Sequence, residues 1–292
     1  MKKTCVLLAV LLMVLAVGAW GEEAAVVTFK RLSFPADARE IDLGKTVVDS
    51  DEYDKFYQFL NQFEHLERVN MFATEVPRWR IDQMASRYPD IVFGWTMIVA
   101  NHRLRTDATA FSTRHSDTAV RHDEHDFEVL KYCTNLKALD IGHNAVKDLS
   151  FLYDLPHLKV LVLVDNSFQD ITPVASLTEL EYLELFYNDI RDISALKDMH
   201  SLIDLNICFN RIQDLSPLEG LKGLERLWIN HYNSHNVSIP LDKEQVDRLR
   251  EALPDTQIDS TAVTSVEGGW REHPRYQVIR RIFAQDGQYE PF

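Results

Sequence analysis

The sequence predicts an α/β solenoid, in which each repeat adds one short strand to a parallel concave sheet and places a 3₁₀ turn or helix on the convex side. Three observations predict it. Leu136, Leu158, Leu180, Leu202 and Leu224 stand 22 residues apart in unbroken register. Each opens the same phrase: Leu136-x-x-Leu139-x-Ile141-x-x-Asn144 recurs with Leu158, Leu161, Leu163, Asn166, then Leu180, Leu183, Leu185, Asn188, then Leu202, Leu205, Ile207, Asn210. The fifth copy keeps Leu224, Leu227 and Ile229 but puts Tyr232 in the asparagine slot. Finally, the second half of each copy is in register too, through Val146, Phe168, Ile190, Ile212 and through Leu149, Ile171, Ile193, Leu215. A unit with roughly seven inward apolar side chains cannot fold alone, and stacking buries its flanks against its neighbours.

Polar positions repeat as strictly. Asn144, Asn166, Asn188 and Asn210 fall where a strand ends, where a short amide can bond unpaired turn backbone. Asp148, Asp170, Asp192 and Asp214 each precede by two a Ser or Thr, a spacing suited to capping a turn; one carboxylate per turn makes a poor calcium cage. On these phrases the chain resembles the 22-residue class of leucine-rich repeats found in bacterial internalin-type proteins, over residues 132–233. The resemblance implies a right-handed curved solenoid that recognises protein through its concave residues.

The other segments are read in chain order. Lys2 and Lys3, an apolar run from Cys5 to Val17 and small residues around Gly21 read as a secretory signal peptide over 1–21, too short to span a membrane. The expected location is therefore periplasmic or released. Residues 22–131 read as looser α/β repeats and a cap: Ile41-x-Leu43, Val69-x-Met71 and Ile91-x-Phe93 are candidate strands, with helices opened by Ser50 and Pro77. One sheet is expected to run from residue 40 to about 258. Trp95–Ala100 and Arg103–Phe111 around Asn101-His102 predict a projecting β-hairpin. The loop after it, with His115, His122 and His125 among aspartates, is the one candidate metal site, although its spacing fits a polar exposed loop equally well.

Cys133 and Cys208 are expected to be free thiols. Their positions in the register lie three strand spacings apart, about 14 Å, against a limit near 7 Å between bridged Cα atoms. With 31 basic and 45 acidic residues the net charge is −14, which argues against nucleic acid and anionic membrane surfaces. Beyond the array, Asp242-x-x-Gln245 is a capping box for a helical C-terminal cap over 234–259. Residues 260–292 form a linker and an aromatic, basic tail in which Tyr276, Ile279, Ile282 and Phe283 keep near-helical spacing. The tail is read either as a latch folded back on the acidic solenoid or as a separate docking peptide.

Strand alternation identifies the concave side chains. An apolar and aromatic band of Val162, Val164, Tyr182, Phe186, Tyr187, Phe209 and Trp228, with Glu184, Asp204 and Arg226 beside it, is expected to be exposed and to bind a protein partner. The expected function is a secreted recognition module with no cofactor and no reaction. The alternatives are a self-associating envelope component and a metal-dependent activity at the histidine loop.

Overall fold

The computed structural model describes residues 25–114, 120–232, 238–239, 241–261, 269–284 and 288–292. The expected signal peptide and His115 lie outside them. The chain begins with an antiparallel hairpin of β1 (Val26–Phe29) and β2 (Leu32–Pro35), turning at Lys30 with φ 53°. Then follow β3 (Glu40–Asp42), α1 (Tyr53–Leu60), β4 (Arg68–Glu75), α2 (Arg78–Arg87) and β5 (Val92–Val99). β3, β4 and β5 are parallel neighbours, as the three candidate strands required. Their crossover helices bury one face each, because Phe56, Tyr57 and Leu60 in α1, and Ile81 and Met84 in α2, fall at helical spacing. Ser50 does not cap α1: the helix starts at Tyr53 after Glu52, whose carboxylate accepts the amide of Asp49 at 2.9 Å.

The expected continuous sheet is corrected here. β5 turns back at Ala100 and Asn101, both with positive φ, into antiparallel β6 (His102–Arg105). Two consecutive left-handed residues make the tight turn whose twist suits a hairpin. An antiparallel strand ends the parallel ladder, so this sheet closes at four strands, β3-β4-β5-β6. The hairpin also does not project: Trp95, Met97, Val99 and Leu104 are buried in the main core. Phe111, expected in the hairpin's second arm, instead lies in β7 (Ala110–Ser112), which starts a second sheet.

That second sheet contains seven parallel strands, β7 followed by β8 (Ala138–Asp140), β9 (Val160–Val162), β10 (Tyr182–Glu184), β11 (Asp204–Asn206), β12 (Arg226–Trp228) and, at its far edge, the terminal cap's strand Gln257–Asp259. Short 3₁₀ helices at Ser150–Asp154, Thr172–Ser176, Ser194–Leu196 and Ser216–Leu218 cover the opposite side. Asp148, Asp170, Asp192 and Asp214 each accept the amide two residues on at 2.8–2.9 Å. These bonds to the turn hold the carboxyls of Asp148, Asp170 and Asp214 below the usual carboxylate range.

The asparagines join one repeat to the next. Asn188 Nδ2 donates to Leu163 O of the preceding repeat and to Leu185 O of its own, while its Oδ1 accepts the Asn166 amide. Asn210 makes the same set with Leu185 O, Ile207 O and the Ile190 amide, and Asn166 with Ile141 O, Leu163 O and the Val146 amide. The residue before each of them, His143, Asp165, Tyr187 and Phe209, is left-handed at φ 51–62°. Such a conformation costs a non-glycine residue about 1–3 kcal/mol, and the rungs on either side hold it.

β13 (His231–Tyr232) and β14 (Ser238–Ile239) form a small antiparallel pair, and α3 (Lys243–Ala252) followed by β15 (Gln257–Asp259) closes the open end. Asp242 caps α3 through the Glu244 amide at 2.8 Å, but Gln245 does not complete the box. Its amide instead reaches back to the last repeat, accepting from Leu215 N and donating to Gln213 O, so the cap is tied to the array it covers. Cys133 and Cys208 are free and buried. A final helix, α4 (Pro274–Ala284), lies on the concave face of the seven-stranded sheet.

Candidate functional site

Strand alternation aims the expected side chains out of the concave face, but they are not exposed. Tyr182 is 0% accessible and Trp228 1%, and Val162, Val164, Glu184, Phe186, Asp204 and Arg226 are buried with them. The expectation of an open aromatic band is therefore corrected, because the C-terminal tail covers it. Trp270, Tyr276, Ile279, Ile282 and Phe283 form one buried cluster with Val160, Val162, Val164, Tyr182, Phe186, Cys208 and Trp228. Only the edge of the band stays open: Tyr187 is 47% exposed, and its ring lies 6.0 Å from that of the partly buried Phe209.

Trp270 is the centre of the seat. Its ring lies 5.7 Å from Tyr182 and 5.1 Å from Trp228, and the Arg226 guanidinium sits 4.4 Å above it. Its indole nitrogen donates to Glu184 Oε1 at 3.0 Å, and the Tyr182 hydroxyl donates to the same oxygen. One strand further on, Asp204 accepts Arg226 Nε at 2.9 Å and pairs with Arg275 Nε at 3.0 Å, while Arg275 also reaches Glu225 at 2.6 Å. The last residues continue the cover, with Phe292 edge-on to Tyr182 at 6.3 Å and the Tyr289 amide bonded to Thr109 Oγ1 at 2.7 Å. Of the two readings of the tail, the structure adopts the latch.

Burial sets the electrostatics beneath it. Loss of solvent pushes the carboxyls of Glu184 and Asp140 above their ordinary range, against the hydrogen bonds that oppose the shift. Loss of solvent together with the Glu184 charge pushes the Tyr182 phenol well up. The His273 imidazole is held below its ordinary value by burial and by Arg226 and Arg275.

Among the described residues no three His, Cys, Asp or Glu side chains converge as metal ligands would. His122 is buried, with Nδ1 2.6 Å from Asp126 and its backbone amide on Asn144 Oδ1, so it fills the ladder position before the first asparagine. His125 is exposed and 3.3 Å from Asp123. Sequence reasoning recognised the tail's helical spacing and basic charge but missed its partners. Strand alternation puts Asp140 and Gly142 on the concave face too but assigns them no role; with Glu184, Arg271 and Arg280 they border a cavity of about 160 Å³ between sheet and tail.

The repeats, their parallel sheet and the 3₁₀ turns opposite it define a leucine-rich repeat solenoid. Residues 134–176 match the family model described as Leucine Rich repeats (2 copies). None of the curated proteins matches the sequence. Similar solved structures include internalin C2 of Listeria monocytogenes (17% identity, 70% of this chain and 74% of that chain, TM-score 0.39) and a second internalin of that organism (21%, 72% and 66%, 0.37). A leucine-rich repeat protein of Leptospira interrogans is similar at 14% identity over 78% of this chain and 56% of that chain, with a TM-score of 0.39.

Proposed function

We propose that this leucine-rich repeat chain is a secreted protein-recognition module whose concave sheet binds a segment of another protein in exchange with its own tail. One observation carries the reading: the concave face already holds a peptide. It accepts an indole between two aromatic rings, a guanidinium on Asp204 and an apolar helix face along Val162, Val164 and Phe186. Buried aromatic and arginine anchors of this kind dominate the energy of protein interfaces. The acid residues of the sheet meet Arg271 and Arg275 of the tail, and this complementarity favours a basic, aromatic partner segment. An intramolecular occupant taxes an outside one, since only the open fraction of the protein can bind.

The test titrates a labelled peptide spanning residues 269–292 into the full chain and into its Trp270→Ala variant. The reading expects the variant, whose latch is weakened, to bind the peptide at least tenfold tighter than the wild type does, and unlabelled peptide to compete. Absent binding in both would show that the face accepts nothing from outside, and equal binding in both that the peptide does not exchange with the tail; either overturns the reading. Export is checked separately, by sequencing the amino terminus of the protein recovered outside the cytoplasm, which should begin near residue 22.

A further inference from the structure

The concave face treats its three acid residues unequally. Asp204 is neutralised by two arginines, Arg226 and Arg275. Asp140 and Glu184 are buried as deeply, 8% and 2% exposed, yet among the described residues no Lys or Arg nitrogen lies within ion-pair distance of either. Asp140 accepts the Gly142 amide at 3.1 Å and the Ser112 hydroxyl at 3.3 Å, and Glu184 accepts Trp270 and Tyr182. Buried charge is costly unless it is paired. These two carboxylates are hydrogen-bonded but have no contact ion pair among the described residues: Arg271 acts on Glu184, and Arg114 and His143 on Asp140, only from a distance.

They also share a row. Asp140 and Glu184 both pair in register with Val162, one on each side, so a cation above Val162 would sit between them. The cavity of about 160 Å³ opens at this place. Across it the tail brings Arg271 and Arg280 to the wall, and Arg271 Nε is buried with no acceptor among the described residues. Val162, Val164, Ile279 and Phe283 are among the apolar residues of the lining. Gly142 keeps the floor clear, since a Cβ there would come within 3.3 Å of both Asp140 Oδ1 and Val164 O. The cavity thus pairs cation-seeking groups on the sheet with anion-seeking groups on the tail. Sites for drug-sized ligands run to about 300–1,000 Å³, so this one takes a small molecule.

We propose that the cavity between the sheet and the tail binds a free α-amino acid with an apolar side chain, its ammonium between Asp140 and Glu184 and its carboxylate on Arg271 and Arg280. The side chain lies against Val164, Ile279 and Phe283. Such a ligand bridges the two parts of the site and holds the tail closed, because binding that favours one state draws the equilibrium toward it. This last step concerns the recognition reading above; the binding itself requires only the closed tail that the structure shows.

Calorimetric titration of the full-length protein tests it, with L-leucine as the probe and isoamylamine and 4-methylvalerate as its two halves. L-leucine should bind saturably, each half at least tenfold more weakly. The Asp140→Asn/Glu184→Gln double variant should lose binding at least tenfold. Val164→Phe, which fills the cavity without touching a charge, should lose it as well, while circular dichroism reports an intact fold. If a variant fails to fold, the comparison of leucine with its two halves on the wild type still decides. Absence of saturable binding by L-leucine, or isoamylamine binding as tightly as leucine, overturns the proposal. The peptide titration fails or succeeds independently, since it reads the open face and this one reads the closed face.

Discussion

The seven-stranded sheet has two buried sides made by opposite means. Its inner side is written by repetition: Leu139, Leu161, Leu183, Leu205 and Leu227 stand in one row, each fully buried against the next. Its concave side repeats nothing. Ala138, Val160, Tyr182, Asp204 and Arg226 stand in one row there, and each meets a different part of the tail or of its neighbours. The comparison teaches that the periodic side carries stability, because any copy can replace any other. The aperiodic side carries specificity, because an indole, a guanidinium and a helix face each fit only one place on it.

Substitutions that act on one side should leave the other unmoved, and the largest contrast comes from the tail. Trp270→Ala removes a buried indole from the seat. Losses of this kind cost about 3–5 kcal/mol, enough to shift the docking of the tail about a hundredfold or more. Labelling of Cys208, buried in the same cluster, should accelerate while Cys133, buried in the leucine core, keeps its slow rate. Acceleration at both thiols would mean that the two sides are one cooperative unit.

Leu183→Ala makes the complementary break. It should cost about 2–5 kcal/mol of global stability in urea denaturation, by lost transfer energy and the cavity left behind. Asn188→Ala should cost about 1–3 kcal/mol, since it strips an amide that joins carbonyls of two repeats and the Asn166 amide. Denaturation that stays a single transition in both variants would extend the cooperativity of the array across the weakened rung.

The smallest effect sharpens the comparison by pH. Glu184 has its carboxyl pushed above the ordinary value by burial, so folding favours its protonated form more than the unfolded chain does. Its contribution is fully present below the unfolded value and is lost as pH rises through the folded one. Glu184→Gln keeps an acceptor for Trp270 and removes the titration. Stability measured from about pH 4 to about pH 8 should therefore move in favour of the variant as pH rises. A difference that moves the other way would mean that the carboxylate is stabilised in its charged form.

This division also explains what the chain reveals before it folds. The array, its strand register and the free cysteines were legible because each repeat restates the same leucine spacing and local turn chemistry. The break between β6 and β7 was not: an antiparallel return looks the same locally whether it projects or is packed into a core, and only the burial of Trp95 and Met97 distinguishes the two. The covering of the concave face was half legible. Tyr276, Ile279, Ile282 and Phe283 announced a helix with one apolar stripe, and the basic tail against an acidic solenoid announced attraction. No periodic signal connects Trp270 to Glu184, 86 residues away, so from sequence alone the band looks open. The cavity was illegible for the same reason, since its walls come from three sheet strands and a tail with no shared pattern.

The central claim is that the tail is docked on the concave face in the free protein. Hydrogen exchange of the α4 amides tests it most directly, because an isolated helix of eleven residues is marginal in water and has no protection of its own. The account predicts that the wild-type amides of Tyr276–Phe283 exchange at least a hundredfold more slowly than those of the free tail peptide, and that Trp270→Ala abolishes most of the difference. Exchange in the wild type as fast as in the free peptide would contradict it, leaving the concave face open as its sequence alone suggests.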